Sequence, residues 1–326
     1  MKKTAFATGL TLALVALGGQ GVAQASADFP ARPVTLVVPY APGGPTDTAG
    51  RILMQALQEE TGGTFIVENA PGAGATVGAS RVARANPDGY TLLWGGKSTH
   101  AIAPHLRPDL AYNAQTSFAP VALVGSQPYI VTVSATSPYA TLADLVQKGR
   151  AAPGALNFAS PGAGSAPHLA TELFLLGTGV QAMHVPYKGG APAMMAVLSG
   201  ETDFYLDTPT LPKAQAEGGK ARLLAVSSAE RLADLPNVPT IREAGFDNLE
   251  MKTWFGLYAP AGTPDAVVAW LNDKVNTVMR KPQVAKRLEA AGFEVEPMTP
   301  AEFVEFNRRE SERWGTIIRD AKVTIQ

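Results

Sequence analysis

Six segments of this 326-residue chain, five of them glycine-containing and all bearing polar side chains, are arranged in a way that suits capture of a small anion. They are Tyr40-Ala-Pro-Gly-Gly-Pro-Thr-Asp47, Asn69-Ala-Pro-Gly-Ala-Gly-Ala-Thr76, Gly95-Gly-Lys-Ser-Thr-His100, Ser160-Pro-Gly-Ala-Gly-Ser165, Tyr187-Lys-Gly-Gly190 and Asp207-Thr208. Each follows a short apolar run, and several open a helical pattern. Glycine lets main-chain N–H groups approach a ligand closely, and helix N-termini carry partial positive charge. A carboxylate is the anion that fits such an array best. Tight strand-to-helix turns use the same residue types, so one loop alone says little. Recurrence at equivalent places in both halves favours a shared site.

Two side chains near these loops have open roles. His168 sits in the first turn of a helix behind Ser165, where it either donates to an anion or is satisfied by the backbone. Asp207 leaves an apolar strand, Phe204-Tyr-Leu206, and either pairs with a ligand amine or orders a loop. Tyr187 and Lys188 lie within reach of the same region, although a lysine there reads equally well as a solvated surface residue.

The elements that must position these loops alternate. Val34–Val38 reads as a strand and 47–61 as a helix, with Ala49, Ile52, Leu53, Ala56 and Leu57 on one face. Thr46 or Asp47 is placed to cap that helix and Gly62 to end it. Strand Phe65–Glu68, helix Thr76–Ala85 and strand Tyr90–Trp94 follow. The pattern repeats with strand Leu156–Ala159, helix 168–176 with Leu169, Leu173 and Leu176 on its inner face, strand Met183–Tyr187, helix Ala191–Ser199, and strands 203–206, 221–227 and 254–258. Alternation of this kind predicts βαβ units and a mainly parallel sheet. The tail is helical: Thr263-Pro264 opens one helix in the N-cap/N1 manner, and Thr299-x-x-Glu302 is a capping box. With no new strands of its own, the tail is expected to pack back on the first α/β unit. The chain then crosses between units near 125–133 and near 250–258. Two crossings make a hinge and a cleft, a preferred place for a ligand.

Composition narrows the function. Lys+Arg 27 against Asp+Glu 28 leaves no basic excess to hold a phosphate backbone, so nucleic acid is not an expected partner. The absence of Cys excludes disulfides, thiolate metal sites and Cys nucleophiles. Lys2-Lys3, an apolar run over 5–17 and the Ala23-Gln-Ala25 and Ala25-Ser-Ala27 sites read as a secretory signal peptide over 1–27, cleaved near Ala25 or Ala27. That run is too short to span a bilayer. Losing the two lysines leaves an acidic, exported chain. Enzyme motifs fail in turn. Gly72-x-Gly74-x-x-x-Gly78 follows a strand, but Asp88 lies in a turn rather than where a ribose needs an acid. Gly96-Lys97-Ser98 lacks the first P-loop glycine, because Thr91 stands there. Neither G-x-S-x-G nor H-E-x-x-H occurs, and His100 and His105 have no third ligand nearby. No cofactor or metal is expected. An exported hydrolase using Ser98 or Ser165 with His100 or His168 stays as the rival reading, and a binding protein serving a sensor as a third.

Seven strings in order carry a resemblance. They are Pro39-Tyr-x-Pro-Gly-Gly-Pro-Thr-Asp47, Asn69-x-Pro-Gly-Ala-Gly74, Pro87-Asp-Gly-Tyr-Thr-Leu-Leu93, Ser160-Pro-Gly-Ala-Gly-Ser-x-Pro-His-Leu169, Val185-Pro-Tyr-Lys-Gly-Gly-Ala-Pro-Ala193, Leu224-Ala-Val-Ser-Ser228 and Pro236-x-Val-Pro-Thr-x-x-Glu-Ala-Gly245. From Phe29 onward the chain resembles the Bug family, the substrate-binding proteins of tripartite tricarboxylate transporters. The resemblance implies a type II-like Venus flytrap: a signal peptide (1–27), a first α/β domain (28–127 plus 253–326) and a second (128–252), closing on a small organic acid. By that likeness Tyr40, Gly43, Gly44, Thr46, Asp47, Ala73 and Gly74 form the first-domain side of the site. Ser160, Gly164, Ser165, His168, Tyr187 and Asp207 form the second-domain side. Ala75 stands where the family often has glycine. The polar run Lys97-Ser98-Thr99-His100 departs from the family pattern and is suited to selecting a second carboxylate or a hydroxyl, with Ser98 the ligand-facing candidate. The implied protein is a periplasmic monomer that takes a mono- or dicarboxylate, aromatic acids included, to inner-membrane permease subunits.

Overall fold

The computed structural model describes residues 29–247, 249–320 and 324; the expected signal peptide lies outside them. Two sheets organise the chain. The first contains β1 (Val34–Val38), β2 (Phe65–Asn69), β3 (Thr91–Gly96), β4 (Phe118–Pro128), β10 (Lys252–Pro260) and β11 (Glu294–Val295), in the order β11-β4-β10-β3-β1-β2. The second contains β5 (Ile130–Ser134), β6 (Leu156–Ser160), β7 (Ala182–Pro186), β8 (Phe204–Asp207) and β9 (Ala221–Val226), in the order β7-β6-β8-β5-β9. β1 and the two strands beside it run parallel, as do β6 and its neighbours. The expectation of mainly parallel sheets needs correcting, however. β10 is antiparallel to β3 and β4, β11 to β4, and β5 to β8 and β9. The strands that carry the chain between the two sheets enter against the βαβ direction, and short apolar runs give no sign of which way a strand points.

Helices cover both faces of each sheet. On one face of the first sheet, Ala49, Ile52, Leu53, Ala56 and Leu57 of α1 (Pro45–Thr61) pack with Leu36 and Val38 of β1. Gly50 lets this helix lie close: a Cβ there would be 3.3 Å from Leu36 and from Val38. The C-terminal helices α8 (Asp265–Met279) and α9 (Pro282–Ala290) join the same core through Val267, Leu271, Val275, Val284 and Leu288. α10 (Pro300–Asp320) closes the opposite face through Phe303, Trp314 and Ile318, alongside Val82 of α2 (Thr76–Ala83). The helical tail therefore does pack on the first sheet. In the second unit, α4 (Leu142–Ala151) and α5 (Ala166–Thr178) cover one face, and α6 (Gly190–Ser199) the other. A short α3 (Ala103–Leu106) and α7 (Thr210–Glu217) complete the set. Fully buried parallel strands read as near-continuous apolar runs, and Val34-Thr-Leu-Val-Val38 obeys this with only Thr35 partly exposed.

Three local expectations change. α1 begins at Pro45 behind Gly44, so Thr46 and Asp47 lie inside its first turn rather than capping it. Pro264, not Thr263, is the N-cap of α8, and the Thr263 hydroxyl donates to the Pro260 carbonyl instead. Leu176 is 65% exposed rather than on the inner face of α5, because that helix buries its Leu169-Phe174-Leu175 side. The Thr299–Glu302 capping box forms as expected, with Thr299 N–H donating to Glu302 and Glu302 N–H to the Thr299 hydroxyl.

Two segments join the sheets: Tyr129 between β4 and β5, and 227–251 between β9 and β10. Ser227 ties them together. Its hydroxyl accepts from Tyr129 N–H at 2.7 Å and donates to the Met251 carbonyl at 2.5 Å, and its own N–H donates to the Tyr129 carbonyl.

Candidate functional site

A narrow crevice lies between the two sheets, with about 360 Å³ of atom-free space that includes open solvent and an enclosed cavity of about 30 Å³. The loop after β1 forms one wall. Gly44 begins α1 there, opposite the first turn of α6: a Cβ on Gly44 would be 3.7 Å from the Gly190 nitrogen and 3.8 Å from the Ala191 nitrogen. Two helix N-termini, one from each unit, therefore point at the same small space. Aligned peptide dipoles make that space favourable for negative charge.

The loops touch across the gap. Ala41 N–H donates to the Lys188 carbonyl at 3.2 Å, and Arg107 Nη2 donates to the Ala163 carbonyl at 3.0 Å. Ser98 is the most direct bridge: its buried Oγ accepts from the Tyr40 hydroxyl at 2.8 Å and from Ala166 N–H, the first residue of α5, at 2.9 Å. Burial pushes the Tyr40 phenol up to about 12, so it remains a donor at any physiological pH. Gly74, with φ of 64°, sits against Ala163, Gly164 and Ser165 so tightly that no side chain fits. The lobes are closed on each other.

Of the residues expected at a ligand, Tyr40, Thr46, Ser98 and Asp207 line this crevice, and Gly44 stands at its edge. The others hold the loops in shape. Asp47 turns inward, accepting from Gly43 N–H, Arg51 Nε and Asn69 Nδ2, each at 3.0 Å. Burial alone would raise its pKa, and the Arg51, Gly43 and Asn69 donors outweigh it, so the carboxyl sits below its ordinary value. Ala73 and Ala75 share the left-handed region with Gly74 at φ of 47° and 83°, and they shape the turn into α2. Ser160 Oγ meets His184 Nε2 at 2.5 Å and accepts from Gly162 N–H. Ser165 caps α5, its Oγ accepting from His168 N–H.

His168 is taken up by the protein itself. Its Nδ1 accepts from Gly164 N–H at 3.1 Å, which leaves the ring proton on Nε2, 3.4 Å from Glu172. Its ring stacks on that of His184 at 3.8 Å. The Tyr187 hydroxyl donates to Glu201 on the outside of the second unit. Lys97 and His100 leave the crevice altogether. Lys97 is buried over the Trp314 ring, donates to the Lys252 carbonyl and lies 3.6 Å from Glu310; burial pulls its pKa down to about 8. His100 stacks on Tyr258 at 3.7 Å inside the first unit, and burial pulls it down to about 3.

Reading the loops finds Asp207 but misses the rest of the crevice floor. Tyr205 and Asp207 of β8, and Thr253 and Phe255 of β10, line it. Each pair is two residues apart on a strand, so both members face the same way; period-two spacing around Asp207 is the signal that would have revealed Tyr205. Asp207 is 3% exposed. One of its oxygens accepts from Thr208 N–H at 2.8 Å, while Oδ2 has no hydrogen-bond partner among the described residues. Burial pushes this carboxyl up to about 7, against donors at Thr208 and Tyr205. The Tyr205 and Thr253 hydroxyls make no hydrogen bond of good geometry among the described residues, but Tyr205 lies close enough to Asp207, and Thr253 to the Tyr129 hydroxyl, to interact with it. Among the described residues, no lysine, arginine or histidine lines the crevice. Among the described residues no cluster of three or more His, Asp or Glu could hold a metal, and no helix is long and apolar enough to cross a membrane.

Known proteins share this arrangement. A family model described as the tripartite tricarboxylate transporter family receptor matches residues 49–323. The solved structure of the periplasmic binding protein BugD is 34% identical, with a TM-score of 0.87 over 91% of this chain and 100% of that one. Rpa4515 of R. palustris, solved with adipate, is 34% identical with a TM-score of 0.88, covering 91% and 99%. MatC (Rpa3494) of Rhodopseudomonas palustris, solved with malate, is 34% identical with a TM-score of 0.84, covering 89% and 100%. Two lobes, a double crossover and a crevice rimmed by helix N-termini thus come with a family match over most of the chain: the protein belongs to the tripartite tricarboxylate transporter receptors, the Bug-type periplasmic solute-binding proteins.

Proposed function

We propose that this protein captures a small organic carboxylate by closing its two lobes around it, and hands it to inner-membrane permease subunits. The observation that carries this reading is the meeting of Gly44 with Gly190 and Ala191, which sets two helix N-termini from different lobes around one small space. A carboxylate there can accept from main-chain donors of both lobes at once. Ligand binding then shifts the population toward the closed state. Adipate in one neighbour and malate in another support the same chemistry. The ligand-facing set is Tyr40, Gly44, Thr46, Ser98 and Asp207.

The domain division we favour is 28–127 plus 253–326 against 128–252. It is supported by β4 ending at Pro128, by β10 starting at Lys252 and by the packing of the tail on the first sheet. We assign the mature chain to the periplasm as a monomer, released by cleavage near Ala25 or Ala27. A serine hydrolase is disfavoured: Ser98 Oγ is bonded to Tyr40 and Ala166, and the His168 ring nitrogen nearest its loop is taken by Gly164.

The test is thermal unfolding of ligand-free protein with malate, adipate and a wider set of organic acids. Ligand at 100 times Kd adds about 2.7 kcal/mol of stability, a shift of several degrees. No shift with any acid sinks the proposal.

A further inference from the structure

The two lobes meet a second time, away from the crevice loops. α9 packs on the first sheet through Val284 and Leu288, but its C-terminal end is completed by the other lobe. Within its own lobe, Gly292 N–H donates to the Glu289 carbonyl and Phe293 N–H to the Leu288 carbonyl. The last two carbonyls, of Ala290 and Ala291, are left to other donors. Lys213 Nζ donates to Ala290 at 3.0 Å and Thr210 Oγ1 to Ala291 at 2.9 Å. Both donors belong to α7, which follows β8 in the second lobe. Gln127 Nε2, near the end of β4, shares the Ala291 carbonyl at 2.6 Å. Lys213 is held in place by an ion pair with Asp234 of its own lobe, and its side chain is only 12% exposed. A cation there faces the negative end of the α9 dipole. The fit beside it is tight: Gly292 has φ of 86°, and a Cβ on it would be 2.6 Å from Pro209 Cγ of the second lobe. None of these residues lines the crevice.

We propose that α7 and the end of α9 form a clasp that holds the lobes shut whatever lies between them, with Lys213 and Thr210 as positioning residues for ligand capture. This rests on capture by closure, as proposed above. α7 moves with the second sheet and α9 with the first, so rotation about the Tyr129–Ser227 knot separates Lys213 from Ala290. Gly292 leaves no slack against Pro209, so a small rotation is enough. The contact therefore adds its free energy to the closed state alone, and adds the same amount for every ligand. Affinity is then set in two places: the crevice decides which acid binds, and the clasp scales how tightly all of them do.

Two measurements test the clasp, one of them without ligand. The chain has no cysteine, so Ala41→Cys with Lys188→Cys supplies a single pair, at residues whose backbones meet across the closed gap. A disulfide needs Cβ atoms within about 4.5 Å. Its rate of formation under mild oxidation in the ligand-free mature protein therefore follows the closed fraction, however small that fraction is. On this background Lys213→Ala should slow cross-linking about tenfold and Thr210→Val about threefold, while Lys213→Arg stays within about threefold of the parent. Calorimetry on the same variants without the cysteine pair, using malate, adipate, succinate and benzoate, should show one common factor for every acid that binds, with the order of preference unchanged. Thr210→Val carries the test should Lys213→Ala fail to fold. A cross-linking rate that Lys213→Ala leaves unchanged overturns the inference even if Tm falls, because the contact is then purely structural. Faster cross-linking or tighter binding overturns it too, since the contact would then resist closure, and so does a factor that differs from acid to acid. If no acid binds but cross-linking still slows, the clasp stands and the carboxylate reading alone fails.

Discussion

Gly74 is where closure can be blocked without touching the core of either lobe. Its φ of 64° lies in the left-handed region, and a Cβ built on it would be driven into the Ala163 carbonyl oxygen, inside the 3.0 Å limit for real Cβ contacts. The same Cβ would lie 3.2 Å from Ser165 N. All of these atoms belong to the opposite lobe, so the clash exists only when the lobes meet. Gly74→Ala then has two separable effects. Left-handed backbone costs alanine about 1–2 kcal/mol in open and closed states alike, which lowers Tm by a few degrees. Overpacking costs the closed state alone a further 1–3 kcal/mol or so, and a coupling of that size weakens ligand binding about 5- to 150-fold.

Gly154→Ala is the control. Its φ is 76°, but nothing lies within 4 Å of a Cβ there. It carries the same backbone strain on an exposed turn of the second lobe and should bind ligand like the parent. Calorimetry with the tightest carboxylate found, together with small-angle scattering with and without it, reads both effects. The expected result is a similar Tm loss in the two variants, with affinity and ligand-induced contraction lost only in Gly74→Ala. A Gly74→Ala protein that binds and contracts like the parent would refute the view that these loops meet in the ligand-bound state.

Other consequences follow from single contacts. Ser98→Ala strands Ala166 N–H and the Tyr40 hydroxyl in the closed crevice, so affinity should fall about tenfold with little loss of Tm, as seen by calorimetry and melting. Ser227→Ala cuts both hydroxyl bonds of the knot joining the crossing segments, and a loss of about 1–3 kcal/mol in urea unfolding is expected. Asp207, raised from 3.8 to about 7 in the fold, binds its proton more tightly folded than unfolded. Ligand-free stability should therefore fall as pH rises from about 4 through 7, and Asp207→Asn should flatten that slope in pH-dependent melting. His100, lowered from 6.5 to about 3, works in the opposite sense. Stability is lost as pH falls from about 6.5 towards 3, and His100→Gln, if it folds, should reduce that loss.

Much of the fold could be read from the chain because its helices are amphipathic in the ordinary way and its turns use glycine where φ is positive. α1, with its five-residue inner face and Gly62 in the left-handed region at φ of 70°, is the clearest case. Strand direction was not legible. β4, β5 and β10 look like any apolar run, and their antiparallel placement follows from the chain crossing twice between lobes, a tertiary fact with no local signature. The end of α5 misled for a related reason: leucines spaced 169, 173 and 176 fit a helical stripe, yet only tertiary packing decides that Phe174 and Leu175 face the core.

The site was legible in kind but not in detail, for a chemical reason. Glycine loops advertise close backbone approach, and they do bring the lobes together at Gly44 and Gly74. A tight loop must also satisfy its own polar groups, and the conspicuous polar residues are engaged in doing so. Asp47 holds Gly43, His168 holds Gly164, and Ser165 holds the start of α5. Side chains left free to meet a guest come instead from regular strands, whose backbone groups are already paired in the sheet. Tyr205, Asp207 and Thr253 are of this sort. Loops at the mouth of such a crevice thus set where the anion lies, while discrimination between one acid and another is expected from strand residues at its floor. Exchanging residues 205, 207 and 253 should therefore change which acid binds and leave closure intact, whereas changes at 74 or 98 should weaken all acids alike. A ligand panel run on both groups of variants separates the two roles. Floor variants that lose every acid equally would show that the floor only seals the cavity.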